Sequence, residues 1–160
     1  MEKRTGNLLQ NYFELVRNLL SFCYHFSQTS AEDWINDGCA EYEKRLTGLT
    51  SVETFYLKSD DDLVKTAKAL KGTVFGLDEN GTEYCSKDFS KVYFEGIERG
   101  GAHISFLIGG FAGLPSDVKK SYPLISLSKM TWAHQFVRLL LTEQIYRSFE
   151  IRKGSSYHKE

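Results

Sequence analysis

The chain has 160 residues and a formal net charge of −1, so it can bury one sizeable core but has no global field to draw it to nucleic acid; any such contact needs a local basic patch. Hydrophobic residues at 41% and charged residues at 26% are ordinary for a globular domain, and no apolar run is long enough to span a membrane as a helix. Cys23, Cys39 and Cys85 are odd in number and scattered, which speaks against a disulfide scaffold or a thiolate metal site and fits reduced thiols.

In residues 1–29, Leu8, Leu9, Tyr12, Phe13, Leu15, Val16, Leu19 and Leu20 recur at helical spacing. Glu2 and Glu14 argue against a transit peptide. The run Leu19–Phe26 is also apolar enough for a buried strand, so the segment reads either as a helix or as a first strand. From Ser30 to Leu46 a helix is expected: Ser30 and Asp33 have capping-box spacing, Ile35, Cys39, Tyr42 and Leu46 share a face, and Gly48 stops it. Val52–Leu57 reads as a strand.

Ser59 with Asp62 opens another helix, whose aspartates suit its N-terminus and whose apolar stripe is Leu63, Ala67 and Leu70. Thr73–Leu77 is a nearly unbroken apolar strand, as expected when both faces are covered. Asp78-Glu79-Asn80-Gly81 is a turn signal. Ser86 is expected to cap a helix that buries Phe89, Val92, Tyr93, Gly96 and Ile97 and stops at Gly100-Gly101. Strands alternate with helices throughout, which argues for an α/β domain with a mainly parallel sheet covered by helices on both faces.

Ile104–Ile108 is the next strand and runs straight into Gly109-Gly110, then Phe111-Ala112-Gly113. Glycines at a strand end let the backbone pass close to something bound, or simply make a tight turn. Pro115 and Asp117 suit the start of a short helix. Leu124–Ser128 reads as a further strand, Lys129–Trp132 as the turn beyond it, and a long helix follows from about Ala133 to Phe149. Two strand ends and two helix starts thus converge, and ligands of open α/β sheets bind outside the carboxyl ends of strands. The glycines match neither a dinucleotide fingerprint nor a P-loop.

On the last helix Val137, Leu141, Ile145 and Phe149 recur at i+4, and Phe136 and Leu140 widen the stripe, as in a buried or self-associating helix. Glu143 and Arg147 are an i,i+4 pair whose plain reading is a solvated surface pair. Arg138, among apolar neighbours, must point outward or meet a partner, and His134 begins the helix. Arg147, Arg152, Lys153, His158 and Lys159 gather positive charge near the end, either on a frayed terminus or as a grip for phosphates.

Leu107-Ile108-Gly109-Gly110-Phe111-Ala112-Gly113-Leu114, then Leu127-Ser128-Lys129-Met130-Thr131-Trp132-Ala133-His134-Gln135, Arg138, Glu143-Gln144-Ile145-Tyr146-Arg147 and Tyr157-His158-Lys159 occur in this order. Together they resemble the RlmH family, SPOUT-class methyltransferases of large-subunit ribosomal RNA. Tyr42–Leu46 and Leu77–Gly81 add to the resemblance, which runs from about Trp34 to the end. The family has an N-terminal strand ending in a glycine-containing turn, and Leu19–Phe26 lacks the glycine. The division implied is a divergent segment, 1–29, and a SPOUT methyltransferase domain, 30–160.

The resemblance implies a SPOUT-type fold with a C-terminal trefoil knot, a homodimer using the last helix, and S-adenosylmethionine as cofactor, with no metal. It implies cofactor binding by Leu77, Gly110, Leu127, Ser128, Lys129, Met130, Thr131 and Trp132. The reaction implied is methylation of N3 of a pseudouridine in 23S rRNA on the assembled ribosome, in the cytoplasm or, in a eukaryote, an organelle. His158, Arg138 and Glu143 are then the catalytic candidates, His158 being the nearby side chain able to act as a base, and Arg147, Arg152, Lys153, Tyr157 and Lys159 the RNA-binding candidates. The altered N-terminus keeps a second reading open, a catalytically impaired RNA- or ribosome-binding relative; an unrelated nucleotide-binding α/β domain is a third.

Overall fold

The computed structural model describes residues 19–25 and 33–159; the helical reading of Leu8–Val16 and the Ser30 cap lie outside them. Among the described residues ten elements alternate strictly: β1 (Leu19–His25), α1 (Asp33–Leu46), β2 (Ser51–Leu57), α2 (Asp60–Ala69), β3 (Thr73–Glu83), α3 (Ser86–Arg99), β4 (His103–Ile108), α4 (Ser116–Ser121), β5 (Leu124–Ser126) and α5 (His134–Lys153). The strands form one sheet in the order β2-β1-β4-β3-β5, and every pairing is parallel. Parallel neighbours need long crossovers, and the helices between the strands supply them.

Period-two alternation divides the sheet into two cores. Leu20, Phe22, Phe75, Ile104 and Phe106 face one side, under Phe89, Tyr93, Leu141, Ile145 and Phe149 of α3 and α5. Their immediate neighbours Cys23, Val74 and Leu107 face the other side, under Leu63 and Ala67 of α2 and Val118 of α4. The strand reading of Leu19–Phe26 is therefore the one realised, over Leu19–His25, and Leu19 and Leu20 are not helical. β1 lies inside the sheet between β2 and β4, with Leu20, Phe22 and Cys23 fully buried.

Ser59 caps α2 as expected, its Oγ accepting the Asp62 N–H at 3.1 Å. Ser86 is instead the first residue of α3, behind Cys85 at the cap, and its Oγ donates to Gln144 Oε1 at 2.8 Å. Asp78–Gly81 is not a plain turn. β3 continues to Glu83, and both Leu77 and Thr82 pair with Ile125, so the residues between them bulge out over β5. Only Leu124–Ser126 of the expected fifth strand is strand; Leu127 and Ser128 already belong to the loop. α5 outruns the expected end at Phe149, closing on Gly154 in the left-handed conformation (φ 71°), with Arg152 and Lys153 in its last turn. Among the described residues no helix is long and apolar enough to cross a membrane.

Candidate functional site

A cleft of about 520 Å³ opens beyond the carboxyl ends of β4 and β5 and beside the bulge of β3, within the size range of small-molecule sites, roughly 300–1,000 Å³. Its floor is apolar, from Leu77, Ile108 and Ile125. One wall is the glycine loop after β4, the other the loop from Leu127 to Ala133, and His134 and Val137 of α5 close the back. The glycine loop is a tight hairpin: Gly110 and Gly113 form an antiparallel bridge, and the Gly113 N–H donates to the Gly110 carbonyl at 3.0 Å. A Cβ on Gly109 would stand 2.2 Å from the Gly113 carbonyl carbon, so the close pass of backbone on backbone admits only glycine there.

The opposite loop is tied internally and to the bulge. Ser126 Oγ donates to the Ser128 carbonyl at 2.9 Å, and Ser128 Oγ accepts the Met130 N–H at 3.0 Å. Thr131 Oγ1 donates to Glu79 Oε2 at 2.8 Å, and Lys129 Nζ to the Glu79 carbonyl at 3.2 Å. Leu77, Gly110, Leu127, Ser128, Met130, Thr131 and Trp132 all line the cleft; Lys129 does not, and acts on the loop through Glu79.

Asp78 is a cleft residue that sequence reasoning missed. Its carboxylate, 8% exposed, meets Lys119 Nζ at 2.7 Å and accepts the Asn80 N–H at 2.9 Å. Burial alone would push this carboxyl up, but the hydrogen bonds from Lys119 and Asn80 and the ammonium charge outweigh it, and its pKa is lowered. A carboxyl depressed on folding stabilises above its unfolded pKa, about 3.9, and that contribution fades as pH falls through the folded value. Lys119→Met should therefore cost about 1 kcal/mol near neutral pH, since Lys119 is partly solvated, and little once Asp78 is protonated. Chemical denaturation at the two pH values checks this; an equal cost at both would remove the ion pair as its cause.

Four of the catalytic and RNA-binding candidates, Glu143, Arg147, Tyr157 and His158, form a second cluster. Glu143 and Arg147 are not the solvated pair expected: Glu143 is only 17% exposed, and Arg147 Nη2 and Nε reach its Oε1 at 2.6 and 3.1 Å. The same carboxylate accepts the Tyr157 hydroxyl at 3.0 Å and Gln144 Nε2 at 2.7 Å. Tyr157 sits edge-on to Tyr146 at 5.1 Å, under the Arg147 guanidinium at 4.8 Å, with its oxygen 3.4 Å from the Tyr42 hydroxyl. Burial, the Tyr42 hydrogen bond and the Glu143 charge all push the Tyr157 hydroxyl's pKa up.

This end of the chain is thus docked rather than frayed, and Glu143 has no free oxygen with which to act as a base. His158 Nδ1 lies 3.4 Å from Arg147 Nη1. Arg138 meets a partner, Glu43 Oε1 at 2.8 Å and the Tyr56 hydroxyl at 2.9 Å. Arg152 lies over the Phe94 ring at 4.3 Å, while Lys153 and Lys159 are exposed. None of these eight residues lines the cleft. The cleft reaches Val137, and Glu143 and Arg147 lie roughly 9 and 15 Å further along the helix axis. Among the described residues no group of three or more His, Cys, Asp or Glu could hold a metal ion.

Comparison with known proteins shows the family and the fold. The family profile described as "Predicted SPOUT methyltransferase" matches residues 25–158. A protein of Protochlamydia amoebophila named "Ribosomal RNA large subunit methyltransferase H" is 38% identical over 128 residues, covering 80% of this chain and 91% of that one. Proteins of the same name from Streptococcus uberis and Prochlorococcus marinus are 36% and 39% identical, over 80% and 81% of this chain and 92% and 89% of theirs. Among solved structures, a probable methylase family protein from Haemophilus influenzae superposes with a TM-score of 0.55 over 90% of this chain and 71% of that one; at 13% identity it speaks for the fold alone.

Proposed function

The chain belongs to the SPOUT methyltransferase family, and from that premise we propose that it transfers the methyl of S-adenosylmethionine to N3 of a pseudouridine in 23S rRNA of the assembled ribosome. The observation that carries this is the cleft: seven of the residues that the RlmH resemblance assigns to the cofactor line one cavity at the strand ends. When bound there, S-adenosylmethionine supplies an electrophilic methyl on a sulfonium centre. Leu77, Ile108, Ile125 and Leu127 give an adenosyl group apolar contact, and the loop backbone after Leu127 offers hydrogen bonds to its polar edge. The knot implied by the resemblance belongs to this reading, as does a site of action where ribosomes are, the cytoplasm or, in a eukaryote, an organelle.

Titration calorimetry with S-adenosylmethionine and tritium-methyl transfer to whole ribosomes test the reading together. Binding with transfer is expected. Binding without transfer would leave the impaired ribosome-binding relative, whose motive is weakened by β1, since that strand is built into the sheet over all seven of its described residues.

We propose further that the working unit is a homodimer. Trp34 is 54% and Trp132 41% exposed, and they flank Phe136 at 5.4 and 6.5 Å, while Leu139 and Leu140 continue a half-buried apolar face along α5. Gly38 lets Leu139 approach α1, with its Cδ1 3.0 Å from where a Cβ would stand. This face starts at the cleft rim, and a second copy seated on it would bring its own tail as the source of the catalytic and RNA-binding side chains that the cleft lacks. Sedimentation at micromolar protein should give twice the chain mass, and Phe136→Glu should give monomers; a monomeric wild type would remove the interface.

A further inference from the structure

We infer that His158 acts as a hydrogen-bond donor through its Nε2–H, to a carbonyl oxygen of the target base at the cleft of the partner copy, and does not take the N3 proton; this rests on the rRNA methyltransferase and homodimer readings. Arg147 Nη1 faces His158 Nδ1 at 3.4 Å. A guanidinium has N–H donors and no acceptor, so Nδ1 must be the acceptor. In that arrangement the neutral imidazole carries its hydrogen on Nε2.

Arg147 is not free to turn away. Two of its nitrogens are on Glu143 Oε1 at 3.1 and 2.6 Å, and its plane covers the Tyr157 ring at 4.8 Å. Tyr157 donates its hydroxyl to Glu143 at 3.0 Å, and its oxygen also lies 3.4 Å from the Tyr42 hydroxyl, which brings α1 into the lock. Among the described residues, Arg147 of α5 faces the ring with Glu143 behind it, Tyr157 and Lys159 adjoin it in the chain, and Tyr42 of α1 reaches Tyr157. With Nδ1 engaged by Arg147, Nε2 is the ring nitrogen left to meet a substrate.

The chemistry has a use for such a donor. As the N3–H bond breaks and its proton passes to water, negative charge spreads onto the two carbonyl oxygens flanking N3. The N3–C bond forms as the S–C bond breaks, and the sulfonium leaves as a neutral thioether. An Nε2–H aimed at one of those oxygens stabilises the charge while it exists.

Two measurements decide it. In ¹⁵N-histidine spectra at mildly alkaline pH, with His158→Gln used to assign the signal, His158 should be the Nε2–H tautomer, and Arg147→Ala should mix the tautomers. An Nδ1–H ring in wild type overturns the inference. In single-turnover transfer to ribosomes, His158→Ala should lose about a hundredfold, and His158→Gln, which keeps an amide N–H near the place of Nε2–H, should recover all but about tenfold of it. A Gln variant as slow as the Ala variant, or an acid limb of the wild-type pH profile that vanishes in the Gln variant, overturns it too. Wild-type protein that moves no methyl to ribosomes sinks the donor role along with the rRNA reading, while an Nε2–H signal would still uphold the tautomer.

Discussion

Gly109→Ala should lower S-adenosylmethionine affinity at least about tenfold, a loss of 1.4 kcal/mol or more. The added Cβ would lie 2.2 Å from the carbonyl carbon of Gly113, 2.3 Å from its oxygen and 2.5 Å from the Leu114 nitrogen. All three are backbone atoms, so no side chain can swing aside and the hairpin itself must move. That hairpin is one wall of the cleft, and Leu114 behind it is 4% exposed in the core between β4, α2 and α4. Overpacking of this kind costs about 1–3 kcal/mol, which in a chain of this size lowers the melting temperature by roughly 2–4 °C per kcal/mol. Gly101→Ala is the matched control. Gly101 has φ +59° and nothing within 4 Å of the added atom, so its variant should lose about 1 kcal/mol of stability through backbone strain and keep full cofactor affinity. Calorimetry on the two folded variants reads the difference. Wild-type affinity in Gly109→Ala would mean that the cofactor does not use this wall.

The glycine wall could be read from the sequence because its signal is local: an apolar strand, then glycines, then a proline-started helix need no knowledge of the rest of the chain. The loop after Leu127 could be read only through resemblance, since nothing in the order Ser128-Lys129-Met130-Thr131 distinguishes a cofactor loop from any other turn. The Asp78–Gly81 bulge was legible as an interruption but not as what it is. A turn signal names a break in the strand, and whether the chain reverses or resumes depends on β5, more than 40 residues away, pairing with both Leu77 and Thr82. Gly81 is needed for that resumption, because a Cβ there would stand 2.7 Å from the Ile125 backbone. The docked tail was hidden for a similar reason. Glu143 and Arg147 look like a solvated helix pair until Tyr157 folds back 14 residues to share the carboxylate and Tyr42 arrives from α1, 115 residues before it.

Removing Tyr157–Glu160 should cut methyl transfer to ribosomes by about a hundredfold or more, the scale of losing a group aimed at developing charge. Cofactor affinity should hold, since Tyr157, His158 and Lys159 do not line the cleft of their own chain. Stability should fall modestly. The truncation loses a half-buried ring packed edge-on to Tyr146 at 5.1 Å and a hydroxyl donated to Glu143 at 3.0 Å, together about 1–2 kcal/mol. Tyr157→Phe separates the two parts, keeping the ring and losing the donor. Its tail should be docked less firmly and its transfer rate should fall between those of wild type and truncation. The raised hydroxyl pKa adds a pH handle with a definite sign. A group whose pKa rises on folding stabilises below its unfolded value, about 10 for tyrosine, and that contribution is lost as pH climbs through the folded value. Tail docking should therefore loosen in strong alkali in the wild type and show no such transition in Tyr157→Phe. Limited proteolysis of the C-terminal segment across pH follows docking directly, and ribosome assays on the same samples follow function. Full transfer by the truncated protein would place the chemistry away from the tail, and equal proteolysis of wild type and Tyr157→Phe would show that the hydroxyl does not hold it.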